Sequence, residues 1–201
     1  MVSGSILIIV TMVLHPSGGS LRHIIESITS IQTTHALAIF SLPIILFGFY
    51  GLSTALSRRD NIAWLAFMVV SLGLIAAMFA AIFNGLALPY FLSQYTETLE
   101  QNGATLSAIA NFSFAINKSL DYLFIGASCL SIFIYSTSML RASIFPKWIP
   151  YLGFLILLFS VLGALIGFVF TNLIGFRVFT FSLATWLLAS GFNLIKHQTH
   201  E

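Results

Sequence analysis

Residues 35–56 read HALAIFSLPIILFGFYGLSTAL, a run without a single Asp, Glu, Lys or Arg. As an α-helix it would be about 33 Å long, enough to cross the ~30 Å hydrocarbon core of a bilayer. A histidine opens the run. Twenty residues earlier, His15-Pro16 closes another apolar run, 2–14. Imidazole and charged groups are costly inside a bilayer, so those at the ends of apolar runs are the first places to look for a site.

The rest of the chain has the same character. Of 201 residues 58% are hydrophobic and 7% charged, against about 25% charged in a typical soluble domain. So few charges cannot cover a water-facing surface, and lipid must solvate most of the chain. Further apolar runs lie at about 62–83, 120–140, 150–170 and 173–195. The expected fold is therefore all-α, a polytopic transmembrane helical bundle of six spans in one domain.

The first run is short, since 13 residues give a helix of only about 20 Å. No Lys or Arg precedes it and Pro16 follows it, so a retained first helix is expected rather than a secretory leader. Residues 20–34, SLRHIIESITSIQTT, place Leu21, Ile24, Ile25, Ile28 and Ile31 on one helical face. The segment is too polar to span, and an interfacial amphipathic helix is expected. Pro43 should kink the second span. Residues 104–117 are expected to form a helix that runs on into the fourth.

Small residues recur where helices could approach closely: Ala38, Ser41, Gly48 and Gly51 on the second span, Gly73, Ala77 and Ala80 on the third, and Gly163-x-x-x-Gly167 on the fifth. Trp148 fits an interfacial anchor and Cys129 a packing residue. With six spans, Arg58, Arg59, Arg141, Lys147 and Lys196 share one side, against Arg22, Lys118 and Arg177 on the other. The positive-inside rule then puts both termini in the cytoplasm. No Lys/Arg-rich run of the kind that grips nucleic acid is present. Two matches to the glycosylation pattern, at Asn111 and Asn117, carry little weight, because so short a pattern recurs by chance.

The same topology brings His15, His23, Glu26, His35, Asp121 and Arg177, with Asn84, Asn111 and Asn172, to the opposite, outer ends of the helices. In one bundle they would line an outward-facing polar pocket. Asp121 and Arg177 are expected to pair, since a partner offsets the cost of a charge at that depth. Three readings of His15 and His35 stay open. They cap helix ends, or they bind a haem or a transition metal with Glu26 or Asp121 nearby, or they belong to a cavity for a small solute. No HExxH, CxxC, Walker or G-x-S-x-G pattern points to catalysis. The function expected from these residues is solute binding or a transport-like role. The alternatives are a redox protein using His15 and His35, and a non-catalytic subunit that packs against a copy of itself or a partner membrane chain.

The combination of HPSGG, then HALAIFSLPIILFGFYGLS, then FPKWIPYLGF resembles a loose group of small bacterial multi-pass membrane proteins. Members have His-Pro after the first helix, a histidine opening the second and a Pro-x-Trp-Ile motif opening the fifth. The matching residues are His15-Pro16, His35 and Pro146-Lys147-Trp148-Ile149. The resemblance implies a bacterial inner-membrane protein and implies no catalytic residue.

Overall fold

The computed structural model describes residues 1–16 and 19–198. It is 87% helical, with no strand among the described residues. Eight α-helices follow in order: α1 (Val2–Leu14), α2 (Leu21–Glu26), α3 (Ile28–Ser57), α4 (Ala63–Ala80), α5 (Leu88–Ser93), α6 (Leu99–Ala142), α7 (Trp148–Leu165) and α8 (Leu173–Gln198). Five stretches are long and apolar enough to cross a membrane: Ile28–Ser57, Ala63–Ser93, Gln101–Ala142, Trp148–Leu165 and Leu173–Lys196. α1 is the shorter sixth apolar helix. Ser17 and Gly18 of the HPSGG motif, and residues 199–201 of the polar tail, lie outside the described residues.

α1 runs antiparallel to α3. Gly4 faces Ile45, and Gly48 and Gly191 leave room for Met1, so α1 starts level with the middle of α3 and the later part of α8. At its other end His15 meets His35. α4 and α6 form the longest antiparallel pair, with Gly73 against Ala127 and the Ser131 hydroxyl donating to the Ala66 carbonyl at 3.0 Å. Around Ile132–Ser136 α6 also packs on α7, and Gly153 of α7 leaves space that the Ser136 hydroxyl and the Trp186 indole fill.

The core is aromatic at its centre. Phe49 stacks on Tyr135 with ring centroids 5.7 Å apart, and Tyr135 lies 6.3 Å from Trp186. Ser53 and Tyr135 bond to each other there, while Ser136 Oγ and Trp186 Nε1 have no partner among the described residues. Ser53 Oγ donates to the Ala63 carbonyl at 3.2 Å, which leaves the Tyr135 hydroxyl to donate to Ser53 Oγ at 2.7 Å. With no water in the hydrocarbon core, such pairing is what makes a buried hydroxyl tolerable.

At one end of the bundle the charges tie helix ends together. Arg59 Nη1 donates to the Ala142 carbonyl at 2.8 Å, and Arg141 stands 3.7 Å from Asp60. Carbonyls at a helix C-terminus lack intrahelical donors and carry the negative end of the dipole, so a guanidinium suits that position.

Several boundaries differ from those the sequence suggests. The amphipathic segment is two helices, not one. α2 ends at Glu26, Ser27 bends the chain, and residues 28–34 already belong to α3. Its apolar face does not simply lie on lipid. Ile24 is buried with Leu88, Leu92, Leu106 and Ala110, and Leu21, Ile25 and Ile31 pack on them. α2, α5 and the start of α6 thus form a small cap over one end of the bundle. The third span does not stop at Phe83 but continues to Ser93 through a π-helical turn, Ala81–Ala87, in which Leu88 N–H bonds to the Phe83 carbonyl. Pro89 follows and lacks an N–H, so the Gly85 carbonyl has no α-helical partner and the wider turn accommodates the break. The helix expected over 104–117 does continue into the fourth span. The fifth span ends at Leu165. Gly167 therefore lies outside α7, with φ of 84°, in a left-handed turn that favours glycine. Gly163 and Gly167 consequently do not form one helical face, and Gly163 packs instead against Phe170.

Candidate functional site

A cavity of about 430 Å³ opens among α1, α3, α4, α6 and α8, at the end opposite the Arg59–Ala142 contact. His15, Gly19, His35, Asn84, Phe114, Asp121 and Asn172 line its upper part. Gly19, Phe114 and Asn172 are exposed and form its mouth. Its floor is apolar, made by Ile45, Phe49, Val70, Leu74, Leu183 and Leu187.

Each imidazole is held in place by a backbone carbonyl close by in the chain. His35 sits one turn into the apolar part of α3, and its Nδ1 donates to the Ile31 carbonyl at 2.8 Å. His15 follows the last residue of α1, and its Nδ1 donates to the Pro16 carbonyl at 2.9 Å. A carbonyl can only accept, so in both rings the proton is on Nδ1 and Nε2 keeps its lone pair. The rings touch edge to face, with centroids 4.8 Å apart and planes at 61°. His35 rests directly on Gly85 in the π-helical turn, where a β-carbon would occupy the ring's own position. Asn84 lies in the same turn. Burial holds the His15 imidazole below the ordinary histidine range. Its Pro16 hydrogen bond works the other way, and the Arg177 charge adds to the lowering. His15 is therefore neutral near pH 7.

Asp121 is buried, at 8% exposure, and one carboxylate oxygen accepts from Asn117 Nδ2 at 2.8 Å. The expected pair with Arg177 does not form. Arg177 Nη2 instead donates to the His15 carbonyl at 2.7 Å, capping the C-terminal end of α1 from the first turns of α8. Asn117 lies one turn from Asp121 on the same helix face, so it satisfies the carboxylate without bringing two helices together.

Of the residues expected in the pocket, His15, His35, Asn84, Asp121 and Asn172 do line one cavity. Arg177 bonds to a residue of the lining without being part of it. Glu26 stands apart, in a separate groove with Arg22, Thr96 and Glu97. His23 packs against Gly19, and Asn111 is exposed on α6. Sequence reasoning missed the hydroxyl lining of Ser128, Thr171 and Thr180. The side-chain oxygens of these three and Oδ1 of Asn84 are buried without a hydrogen-bond partner. Lone Ser and Thr residues within apolar runs give no signal in a sequence, because most of them bond to their own helix, as Ser71 does to Phe67.

The fit of a haem or metal can be tested on this geometry. A haem with two histidine ligands needs its macrocycle between the rings, with metal–nitrogen bonds of about 2 Å on each side. Rings in edge contact leave no plane for it. Among the described residues no three His, Cys, Asp or Glu side chains converge on a point. The residues do not fit a two-histidine haem.

Apolar spans around a buried core with a polar-lined cavity define a helical integral membrane protein. No family model, curated protein or solved structure matches the chain.

Proposed function

We propose that this protein binds a small solute in the cavity between α1, α3, α4, α6 and α8, as a receptor for it or as part of its path across the membrane. One observation carries the reading. Of the ten buried side-chain polar atoms without a hydrogen-bond partner among the described residues, four gather on the cavity wall: Asn84 Oδ1, Ser128 Oγ, Thr171 Oγ1 and Thr180 Oγ1. Leaving a buried polar group unpaired costs about 1–3 kcal/mol, and a solute or the water it displaces removes that cost. The volume falls within the ~300–1,000 Å³ typical of small-molecule sites.

The reading as a passive subunit has less support, because most of the small residues named for packing are used within the chain, Gly51 excepted. Gly48 meets Met1, Gly73 meets Ala127, and Ala38, Ser41, Ala77 and Ala80 line the cavity. The resemblance to small bacterial multi-pass proteins and the Arg58, Arg59, Arg141 and Lys147 cluster at the opposite end support a bacterial inner membrane. The C-terminal end is then cytoplasmic and the cavity mouth faces outward, whereas Met1, seated against Gly48 and Gly191, starts within the bundle and not in the cytoplasm as the span count suggests.

Ser128→Leu tests the proposal. Ser128 is 1% exposed, and its hydroxyl has no bond to lose, so a leucine there fills cavity space while the fold persists. Thermal unfolding of the purified chain across a small-solute collection should show stabilising solutes for wild type and none for Ser128→Leu. Equal responses from the two proteins would place binding elsewhere.

A further inference from the structure

The cavity's hydrogen-bonding inventory is lopsided. Both imidazoles spend their only N–H on a backbone carbonyl, so each offers the cavity a lone pair. Asn84 contributes an amide oxygen without a donor. Asp121 contributes a carboxylate, and Asn117, the amide beside it, already spends an N–H on that carboxylate. No Lys or Arg side chain is among the lining residues. The one guanidinium nearby, Arg177, has its Nη2 committed to the His15 carbonyl, and its Nε, buried without a partner, is not on the cavity wall. Ser128, Thr171 and Thr180 supply hydroxyls that serve either role. Acceptors therefore outnumber fixed donors, and Asp121 is the one carboxyl group on the wall. Two of the unpartnered hydroxyls, Ser128 at 1% and Thr180 at 4% exposure, are almost completely buried.

Resting on the solute-binding reading above, we infer that the ligand is a small organic ammonium, with its N–H donors towards Asp121, Asn84 and the two Nε2 atoms and its apolar body on the floor. A carboxylate out of water gains most from a cation that is also a hydrogen-bond donor. An anionic ligand would instead meet Asp121 and three lone-pair acceptors, the two Nε2 atoms and the Asn84 oxygen, with no lining cation to receive it. The body of the ligand is apolar because the floor is. Ile45, Phe49, Val70, Leu74, Leu183 and Leu187 offer it no polar atom of a side chain. Phe114, 40% exposed at the mouth, adds a ring face of the kind that attracts organic cations.

The test uses three probes of matched size, phenethylammonium, phenylacetate and phenethyl alcohol, titrated by calorimetry into the purified full chain in mild detergent. Phenethylammonium is expected to bind at least tenfold more tightly than the other two. Asp121→Asn keeps the shape and the Asn117 neighbour, and it should erase most of that preference while its unfolding temperature in the absence of probe stays close to wild type. Should Asp121→Asn fail to fold, Asn84→Leu serves in its place and should weaken the ammonium alone. Preferential binding of phenylacetate or the alcohol, lost in Ser128→Leu, overturns the ammonium assignment and leaves the cavity as a solute site. If none of the three binds and Ser128→Leu matches wild type across the whole solute collection, both this inference and the reading beneath it are overturned.

Discussion

Trp186→Ala is expected to cost about 3 kcal/mol or more, the largest stability loss of any single truncation in the bundle. Trp186 is fully buried on α8, where it meets Tyr135 of α6 and the space left by Gly153 of α7. Removing a buried indole from a packed core typically costs about 3–5 kcal/mol, because the cavity left behind collapses only in part. The indole N–H has no partner, so its loss returns some of this cost and the lower end of the range is expected. Phe192, 60% exposed on the same helix, is the control, and its truncation should cost no more than about 1 kcal/mol. Reversible unfolding in mixed detergent micelles reads both. A Trp186→Ala loss no greater than that of Phe192→Ala would mean that α6, α7 and α8 do not share this core.

Gly85→Val should damage the site more than any substitution of a lining side chain. A β-carbon at 85 falls on the His35 ring, and a β-branched residue also crowds the widened turn. His35 must leave its seat, and with it go the Ile31 hydrogen bond and the contact with His15. Overpacking of this kind costs about 1–3 kcal/mol, and the lost hydrogen bond about 1 more. Solute affinity should fall by well over tenfold, since one of the two Nε2 acceptors is displaced. Gly51→Ala is the matched control. A β-carbon there meets nothing within 4 Å, so stability should hold or rise by up to about 1 kcal/mol. If Gly85→Val binds solute as wild type does, His35 is not part of the site.

Much of this arrangement could be read from the sequence, for a simple reason. A helix that crosses a bilayer has two ends, and counting spans alternates them. Counting was enough to bring His15, His35, Asn84, Asp121 and Asn172 to one end although they are spread from residue 15 to residue 172. Hydropathy located the spans because lipid penalises every charge alike. What it could not show is how polar groups pair locally. Asp121 is satisfied by Asn117 one turn away, and Arg177 by a backbone carbonyl, and a one-letter code shows neither. The π-helical turn was hidden too, because Pro89, whose missing N–H is its cause, lies past the apolar run at 62–83 and reads as the end of a helix rather than as a widened turn within one. The cap of α2, α5 and early α6 was half visible. The apolar face of residues 21–31 was evident, but its cover of Leu88, Leu92, Leu106 and Ala110 lies some 60 to 90 residues further along the chain. A sequence alone gives no way to tell that cover from lipid.

The central claim is that a cavity, polar towards its mouth and apolar at its floor, reaches from one membrane face into the bundle, past the two histidines. Cysteine accessibility tests it most directly. In a Cys129→Ser background, cysteine is placed at Ala77 on the cavity wall, or at Ile75, which is 46% exposed on the outer surface of the same helix. The protein in lipid nanodiscs is then treated with a small water-soluble methanethiosulfonate carrying an ammonium group. The account predicts modification at 77, slowed when phenethylammonium is present, and little at 75, where lipid surrounds the thiol. Equal protection of both positions would contradict a water-reachable cavity, and faster reaction at 75 would mean that the face assigned to lipid is the one that meets water.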